Sequence, residues 1–168
     1  MELYIFRHAQ AVERDEAGGL RDFDRELTDV GRKQARLAGA ALNRLGVKFD
    51  TILSSPAPRA LQTAKIAAKE MNLEDRVREC PALWEGDFED IFEACRGMEN
   101  KIVCLVGHEP TLGDLTGFLT SGSREVCVPL KKAGIARIDI DGLPPEHPRG
   151  LLRWVMTGKQ LSLISQKK

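Results

Sequence analysis

The clearest regularity in the chain is a repeated unit in which a short apolar run stops at charged or small residues and gives way to a helical stripe. Leu3 to Phe6 is the first such run, and it ends at Arg7 and His8. An apolar run this short, bounded by charge, is the pattern of a strand buried on both faces of a sheet. Thr28 has the side chain of a helix N-cap. After it, apolar residues recur at Leu37, Ala38, Ala41, Leu42 and Leu45 and stop at Gly46, which predicts a helix. Asp50 to Leu53 predicts a second strand. Ser54-Ser55-Pro56 then reads as a cap-like turn into a helix that runs to about Met71, with Arg59 in its first turn. Lys101 to Val106 predicts a third buried strand, which ends at Gly107 and His108 before Pro110 opens a helix through Leu119.

Ala133 to Ile140 and Leu151 to Met156 read as two strands joined by the Pro-rich turn Gly142 to Gly150, hence an antiparallel pair. Glu13 to Arg25 is charged, contains glycine and has no periodicity, so it reads as a long surface loop of the kind that often carries function. The stretch Lys159 to Lys168 reads as a polar, loosely held tail. No repeat, low-complexity tract or linker interrupts the pattern. The expected fold class is α/β: a single domain over residues 1–168, built as a three-layer sandwich with a mostly parallel mixed central sheet flanked by helices.

Composition narrows the function classes. A hydrophobic fraction of 42% and a charged fraction of 30% are those of a soluble globular protein. The 25 Lys and Arg balance the 25 Asp and Glu, whereas a general polyanion binder would show a basic excess, so nucleic acid is not expected as a partner. The amino-terminal apolar run is too short for a signal peptide or a membrane span, which leads to the expectation of a cytoplasmic protein with no membrane association. Cys80, Cys95, Cys104 and Cys127 lie far apart without a C-x-x-C pair, and read as reduced thiols. Cys and His approach one another only at Cys104 and His108, a core strand residue followed by a loop residue, so neither a metal nor another cofactor is expected. Nothing in the sequence sets an oligomeric state.

In open α/β sheets, ligands bind beyond the carboxyl ends of the strands, where helix N-termini also direct free amides. Three predicted strands deliver chemistry to that edge: Arg7 and His8 from the first, Arg59 one helical turn beyond the second, and His108 from the third. Singly, each has an ordinary explanation as a solvated cation or a loop histidine. Together, two guanidiniums and two imidazoles beside helix N-termini suit a phosphoryl group. His147, between Glu146 and Pro148 in a turn, is assigned no role.

Arg7-His8-Ala9, Leu53-Ser54-Ser55-Pro56 with Arg59-Ala60 and Gln62-Thr63-Ala64, and Val106-Gly107-His108-Glu109-Pro110 resemble the three signatures of the histidine phosphatase superfamily, which includes the phosphoglycerate mutases. The short chain, Arg25-x-Leu27-Thr28-x-x-Gly31 and the Gly-His-Glu-Pro form of the third motif are most similar to the SixA-type phosphohistidine phosphatase branch. The resemblance runs over residues 2–157 and implies a phosphoglycerate mutase-like fold with His8 as a nucleophile that becomes phosphorylated. It also implies that Arg25, in the loop before the first helix, borders the pocket as a substrate-binding residue; by itself Arg25 reads equally as a solvated loop cation. Ala9 stands where many members have Gly, and Glu13 and Arg14 stand where mutase-like branches carry Asn. Those branches supply a general acid from mid-chain, where this sequence reads Leu83-Trp84-Glu85-Gly86-Asp87, so Glu85 and Asp87 are the candidates. Ser55 is either a pocket contact or a helix cap.

Phosphoryl transfer needs an in-line nucleophile and positive charge on the equatorial oxygens. Arg7 and Arg59 should push the His8 pKa down and keep it neutral, while a bound dianion should favour the protonated form of His108. Arg7, Arg59 and His108 are assigned to the oxygens. An alkoxide leaving group, with a conjugate acid near that of water at about 15.7, needs a general acid; imidazole, at about 6.5, does not. The expected activity is therefore hydrolysis of phosphohistidine on a protein. The alternative is a small-molecule phosphomonoesterase using Glu85 or Asp87. From another class comes a non-catalytic phospho-ligand binding module, against which an intact nucleophile counts. The expected partner is a histidine-phosphorylated protein or a small phosphorylated substrate.

Overall fold

Six strands form one sheet in the computed structural model, which describes residues 1–13, 19, 21–99, 101–145 and 150–166. They are β1 (Glu2–Arg7), β2 (Thr51–Ser54), β3 (Val77–Glu79), β4 (Ile102–Gly107), β5 (Ile135–Asp139) and β6 (Leu151–Met156), in the order β3-β2-β4-β1-β5-β6. β1 to β4 are mutually parallel, while β5 runs antiparallel to β1, and β6 to β5. The central strands are apolar at every interior position because both faces are covered. Leu3 and Ile5 point to one core, Tyr4 and Phe6 to the other. Three helices contribute to the second of these: α1 (Asp29–Arg44), α2 (Pro58–Met71) and α6 (Gly158–Ser165). α3 (Ala82–Glu85), α4 (Phe88–Ala94) and α5 (Thr111–Ser121) cover the opposite face. The expected three-layer α/β sandwich with a mixed sheet is the observed one.

Two glycines set the spacing on the α1 side. A Cβ on Gly31 would lie 1.9 Å from the Gln10 carbonyl oxygen, so only glycine lets the first turn of α1 rest on the chain just beyond His8. A Cβ on Gly39 would come within 2.4 Å of the Ala67 carbonyl oxygen, so α1 and α2 pack backbone to backbone there. Thr28 caps α1 as expected, its hydroxyl oxygen accepting from Gly31 N–H at 3.1 Å.

The structure differs from the sequence expectations in three places. Residues 159–166 are not a loose tail: α6 begins with a capping box between Thr157 and Gln160, and its Leu161 is fully buried against the α1 side of the sheet. One well-placed leucine and a cap outweigh the polar composition of the segment. The interval after Met71, for which no elements were anticipated, holds β3, α3 and α4, all too short for periodicity to reveal. The turn before α2 is longer than expected, the helix starting at Pro58 with Ala57 as its cap and no side-chain bond there. The loop after β1 is closed at its base by Val12 N–H donating to the Glu26 carbonyl at 2.9 Å, and it includes a 3-10 turn at Asp22–Asp24. Arg14 to Gly18, Leu20 and the region of His147 lie outside the described residues. Cys80, Cys95 and Cys104 are buried free thiols and Cys127 an exposed one. Among the described residues, no helix is long and apolar enough to cross a membrane.

If α6 is part of the core, Leu161→Ala should lower the unfolding free energy by about 2–5 kcal/mol, as for other buried leucines. Lys159→Ala, on the exposed side, should change it by less than about 0.5 kcal/mol. Urea unfolding of both variants is the check; equal and negligible effects would mean an undocked tail.

Candidate active site

The site follows from strand register. β2, β4 and β1 are adjacent, with Arg7 paired to Gly107 and Ser54 to Val106. The chain therefore leaves all three strands at the same level. Pairing continues one step further, His8 N–H donating to the Gly107 carbonyl at 3.0 Å and Ser55 N–H to the Val106 carbonyl at 2.9 Å. His8, Ser55 and His108 thus occupy one rim. The rings of His8 and His108 lie 5.0 Å apart, centroid to centroid.

His8 is only 6% exposed. Its Nδ1 is 2.7 Å from the Ala9 carbonyl oxygen. Because a carbonyl oxygen only accepts, Nδ1 carries the ring proton and Nε2 keeps its lone pair. The backbone holding the ring is itself tied down: Ala9 N–H donates to Thr63 Oγ1 at 3.0 Å, and that hydroxyl donates to the Arg59 carbonyl at 2.7 Å. The His8 pKa is lowered from 6.5 to about 4. Burial is the largest cause, with Arg59, Arg7 and Arg25 adding to it and the Ala9 bond opposing. The expected direction holds, but desolvation outweighs the arginines.

His108 is lowered further, to about 3, again first by burial and then by Arg59 and His8. Without a ligand it is neutral. Its Nε2 lies 2.9 Å from Ser55 Oγ, an oxygen that also accepts from Ala57 N–H at 3.3 Å. Ser55 is therefore a contact of the pocket histidine and not the cap of α2. Ser55 Oγ can donate its proton to His108 Nε2 while it accepts from Ala57, an arrangement that accommodates the His108 tautomer with its proton on Nδ1. Among the described residues, His108 Nδ1 and Arg7 Nε are buried without a hydrogen-bond partner.

Arg7 and Arg59 both act on His8 through their charge, and Arg59 acts on His108 as well. Arg7 Nη1 donates to the Leu130 carbonyl at 2.7 Å, and Leu130 N–H donates to Glu109 Oε1 at 2.9 Å, so the third motif's glutamate braces the segment that holds Arg7. Arg59, in the first turn of α2 as expected, donates through Nη1 to the Asp22 carbonyl at 2.6 Å and through Nη2 to Asp22 Oδ2 at 3.1 Å. Arg25 bonds the other oxygen of Asp22 at 2.8 Å and the Val12 carbonyl at 2.7 Å. Arg25 thus borders the pocket through its field on both histidines, with its own donors engaged.

Of the proposed site residues, His8, Arg7, Arg59 and His108 come together, and Arg25 joins them through Asp22. Glu85 and Asp87 do not. Glu85 is exposed, accepts from the Trp84 indole N–H at 3.0 Å, and borders a surface depression with Pro81, Asp90 and Glu93. Asp87 is the N-cap of α4, in a capping box with Asp90. Sequence reasoning missed Asp22, whose i,i+3 spacing to Arg25 was a signal, and Trp84. The indole lies edge-on to His108 at 5.1 Å and beneath the Arg59 guanidinium at 5.2 Å. No group of three or more His, Cys, Asp or Glu side chains that could hold a metal is found among the described residues.

Fold and site together define an α/β protein with two imidazoles and two guanidiniums gathered at the carboxyl edge of a mostly parallel sheet. The profile of the histidine phosphatase superfamily (branch 1) matches residues 3–103, and the chain belongs to that superfamily. It is 38% identical over 138 residues to an uncharacterized protein of a Picosynechococcus strain, an alignment covering 80% of this chain and 82% of that one. The structure of the protein histidine phosphatase SixA complexed with tungstate superposes with a TM-score of 0.81 at 26% identity, over 96% of this chain and 99% of that one. A phosphoserine phosphatase from Entamoeba histolytica in complex with 3-phosphoglyceric acid shares the fold, with a TM-score of 0.67 at 19% identity over 95% and 98% of the two chains.

The lowered pKa values have a thermodynamic consequence. An unfolded histidine takes up its proton near 6.5, while native His8 waits until about 4 and His108 until about 3. Between these values the unfolded chain binds more protons, so this contribution to stability is present above pH 6.5 and is lost as pH falls through the folded values. Imidazole nitrogen NMR on the free protein should show both rings neutral at pH 5.5, and His8→Asn should flatten the acid side of the stability curve. Titration of either His8 or His108 near 6.5 would contradict the buried arrangement.

Proposed function

We propose that the protein is a phosphohistidine phosphatase that works through phosphorylated His8. The observation that carries the reading is a set of groups without a partner among the described residues: the lone pair of His8 Nε2 and the buried donors Arg7 Nε and His108 Nδ1. An unsatisfied buried donor costs about 1–3 kcal/mol. Phosphoryl oxygens would satisfy both, and the cations already present favour a dianion.

In the first step Nε2 attacks phosphorus in line, the new N–P bond forming as the bond to the leaving group breaks and takes its electron pair with it. Arg7, Arg59 and His108 hold the equatorial oxygens. The neutral His108 ring already offers its Nδ1 proton, so donation does not wait for a second proton. In the second step water attacks phospho-His8, phosphate departs, and Nε2 recovers its lone pair. Hydrogen bonding of Nδ1–H to the Ala9 carbonyl supports the ring as it acquires positive charge in the phospho-form.

The leaving group supports the choice of substrate. A phosphorylated imidazole whose far nitrogen is protonated departs as neutral imidazole and needs no acid at the breaking bond. Glu85 is engaged by the Trp84 indole and Asp87 by its helix cap, which speaks against either as a proton donor to an ester oxygen. A protein histidine phosphatase with this fold and 26% identity favours the same substrate class. The shared fold of a phosphoserine phosphatase makes the ester-cleaving alternative the one to test against.

His8→Ala should abolish turnover and leave phosphate or tungstate binding within about tenfold, since both arginines remain; wild-type rates in that variant would remove His8 as the nucleophile. Glu85→Gln and Asp87→Asn should leave hydrolysis of a phosphohistidine protein within about twofold. If either carboxylate were a general acid, its loss would cost an alkyl phosphate about 10²–10⁴ in kcat/KM and an aryl phosphate much less. A wild-type preference for the alkyl ester, lost in one variant, would overturn the assignment.

A further inference from the structure

We infer that Trp84 and Phe23 form the wall against which the leaving group lies, and that this wall favours planar leaving groups. The inference deepens the reading of the site given above and rests on phosphoryl transfer at His8. In-line displacement puts the departing group on the side of phosphorus opposite the nucleophile. His8 lies at the floor with 6% exposure, so the opposite side is the mouth. We assign to that side two half-buried aromatic rings: Trp84 from α3, edge-on to the ring of His108 at 5.1 Å, and Phe23 from the 3-10 turn after β1, edge-on to Trp84 at 5.2 Å.

The indole is held in place from several directions. The Arg59 guanidinium lies 5.2 Å from its centroid, Phe23 meets its rim, and its N–H is anchored to Glu85 at 3.0 Å. Its neighbour Leu83 is 3% exposed and fills the core of that face, so α3 is already anchored without Trp84. A fixed, half-exposed indole beside the buried Arg59 guanidinium is poorly suited to an aliphatic or hydrated polar group and well suited to a ring, by stacking or edge contact. Imidazole and phenyl groups fit that description; a glycerol or sugar carbon chain does not. The same cluster gives Glu85 a purpose: it positions the indole.

The test separates the wall from the chemistry by using phosphonates, which bind but cannot be hydrolysed. Trp84 and Trp154 are the two tryptophans, so Trp154→Phe leaves Trp84 as the only indole reporter. In that background phenylphosphonate should bind about three- to tenfold more tightly than methylphosphonate and change the indole emission, whereas methylphosphonate should change it little. Trp84→Leu, followed by competition with tungstate, should reduce the ratio of the two affinities to near one, and Trp84→Phe should retain most of it. Equal affinities in the parent protein, or an undiminished ratio in Trp84→Leu, would overturn the inference. A selective ratio in a protein that hydrolyses no phosphohistidine would instead leave the wall standing and send the substrate assignment to aryl phosphates.

Discussion

The parallel register of β1 against β4 is the constraint on which the site depends. Arg7 opposite Gly107 means that the residues next in line, His8 and His108, leave the sheet together, and the bond from His8 N–H to the Gly107 carbonyl carries the pairing one residue past the strand end. A slip of one residue would exchange the faces of Leu3, Tyr4, Ile5 and Phe6, each of which is fully or almost fully buried in its own core. Because both cores resist that exchange, the separation of the two imidazoles is fixed by apolar packing some way from the chemistry. Gly31 adds the remaining condition, since α1 can begin against Gln10 only without a side chain.

Burial does more than Coulomb repulsion to set the charge state. Both histidines are depressed chiefly by desolvation, with the arginines second. Neutral imidazole is what each role proposed here requires, a lone pair on His8 and a donor proton on His108, and one low-dielectric environment supplies both. What distinguishes the two rings is the neighbour of the nitrogen each leaves away from the ligand. The Ala9 carbonyl can only accept, whereas Ser55 Oγ, already accepting from Ala57, has a proton to give.

The legible parts of the sequence were those with long-range regularity or a dense motif. Three strand-to-helix units could be read from apolar runs and helical stripes, and the residues at their ends from the motif positions they occupy. Hidden from sequence were features made by single contacts. α6 depends on Leu161 and one capping box within a polar segment. Ser55 looked like a cap because serine before proline usually is one, and only the position of His108 reveals its other bond. Trp84 sat beside two candidate acids in a segment read for carboxylates, and nothing in the spacing showed that Glu85 serves the indole.

Asp22 shows how the pocket survives without its ligand. Arg59 has a side chain only 4% exposed, and a buried guanidinium with no counter-charge would be costly. Asp22 gives it both a carboxylate oxygen and a backbone carbonyl, and offers the second carboxylate oxygen to Arg25. Yet the same carboxylate is about one-third exposed, at 31%, which dilutes its attraction in water and leaves the pair weaker than a fully buried one. A phosphoryl dianion deeper in the pocket would meet Arg59 where water is excluded and screening is least. The compensation by Asp22 is thus sufficient to keep Arg59 in position and too solvated to compete on equal terms with the dianion proposed to bind there.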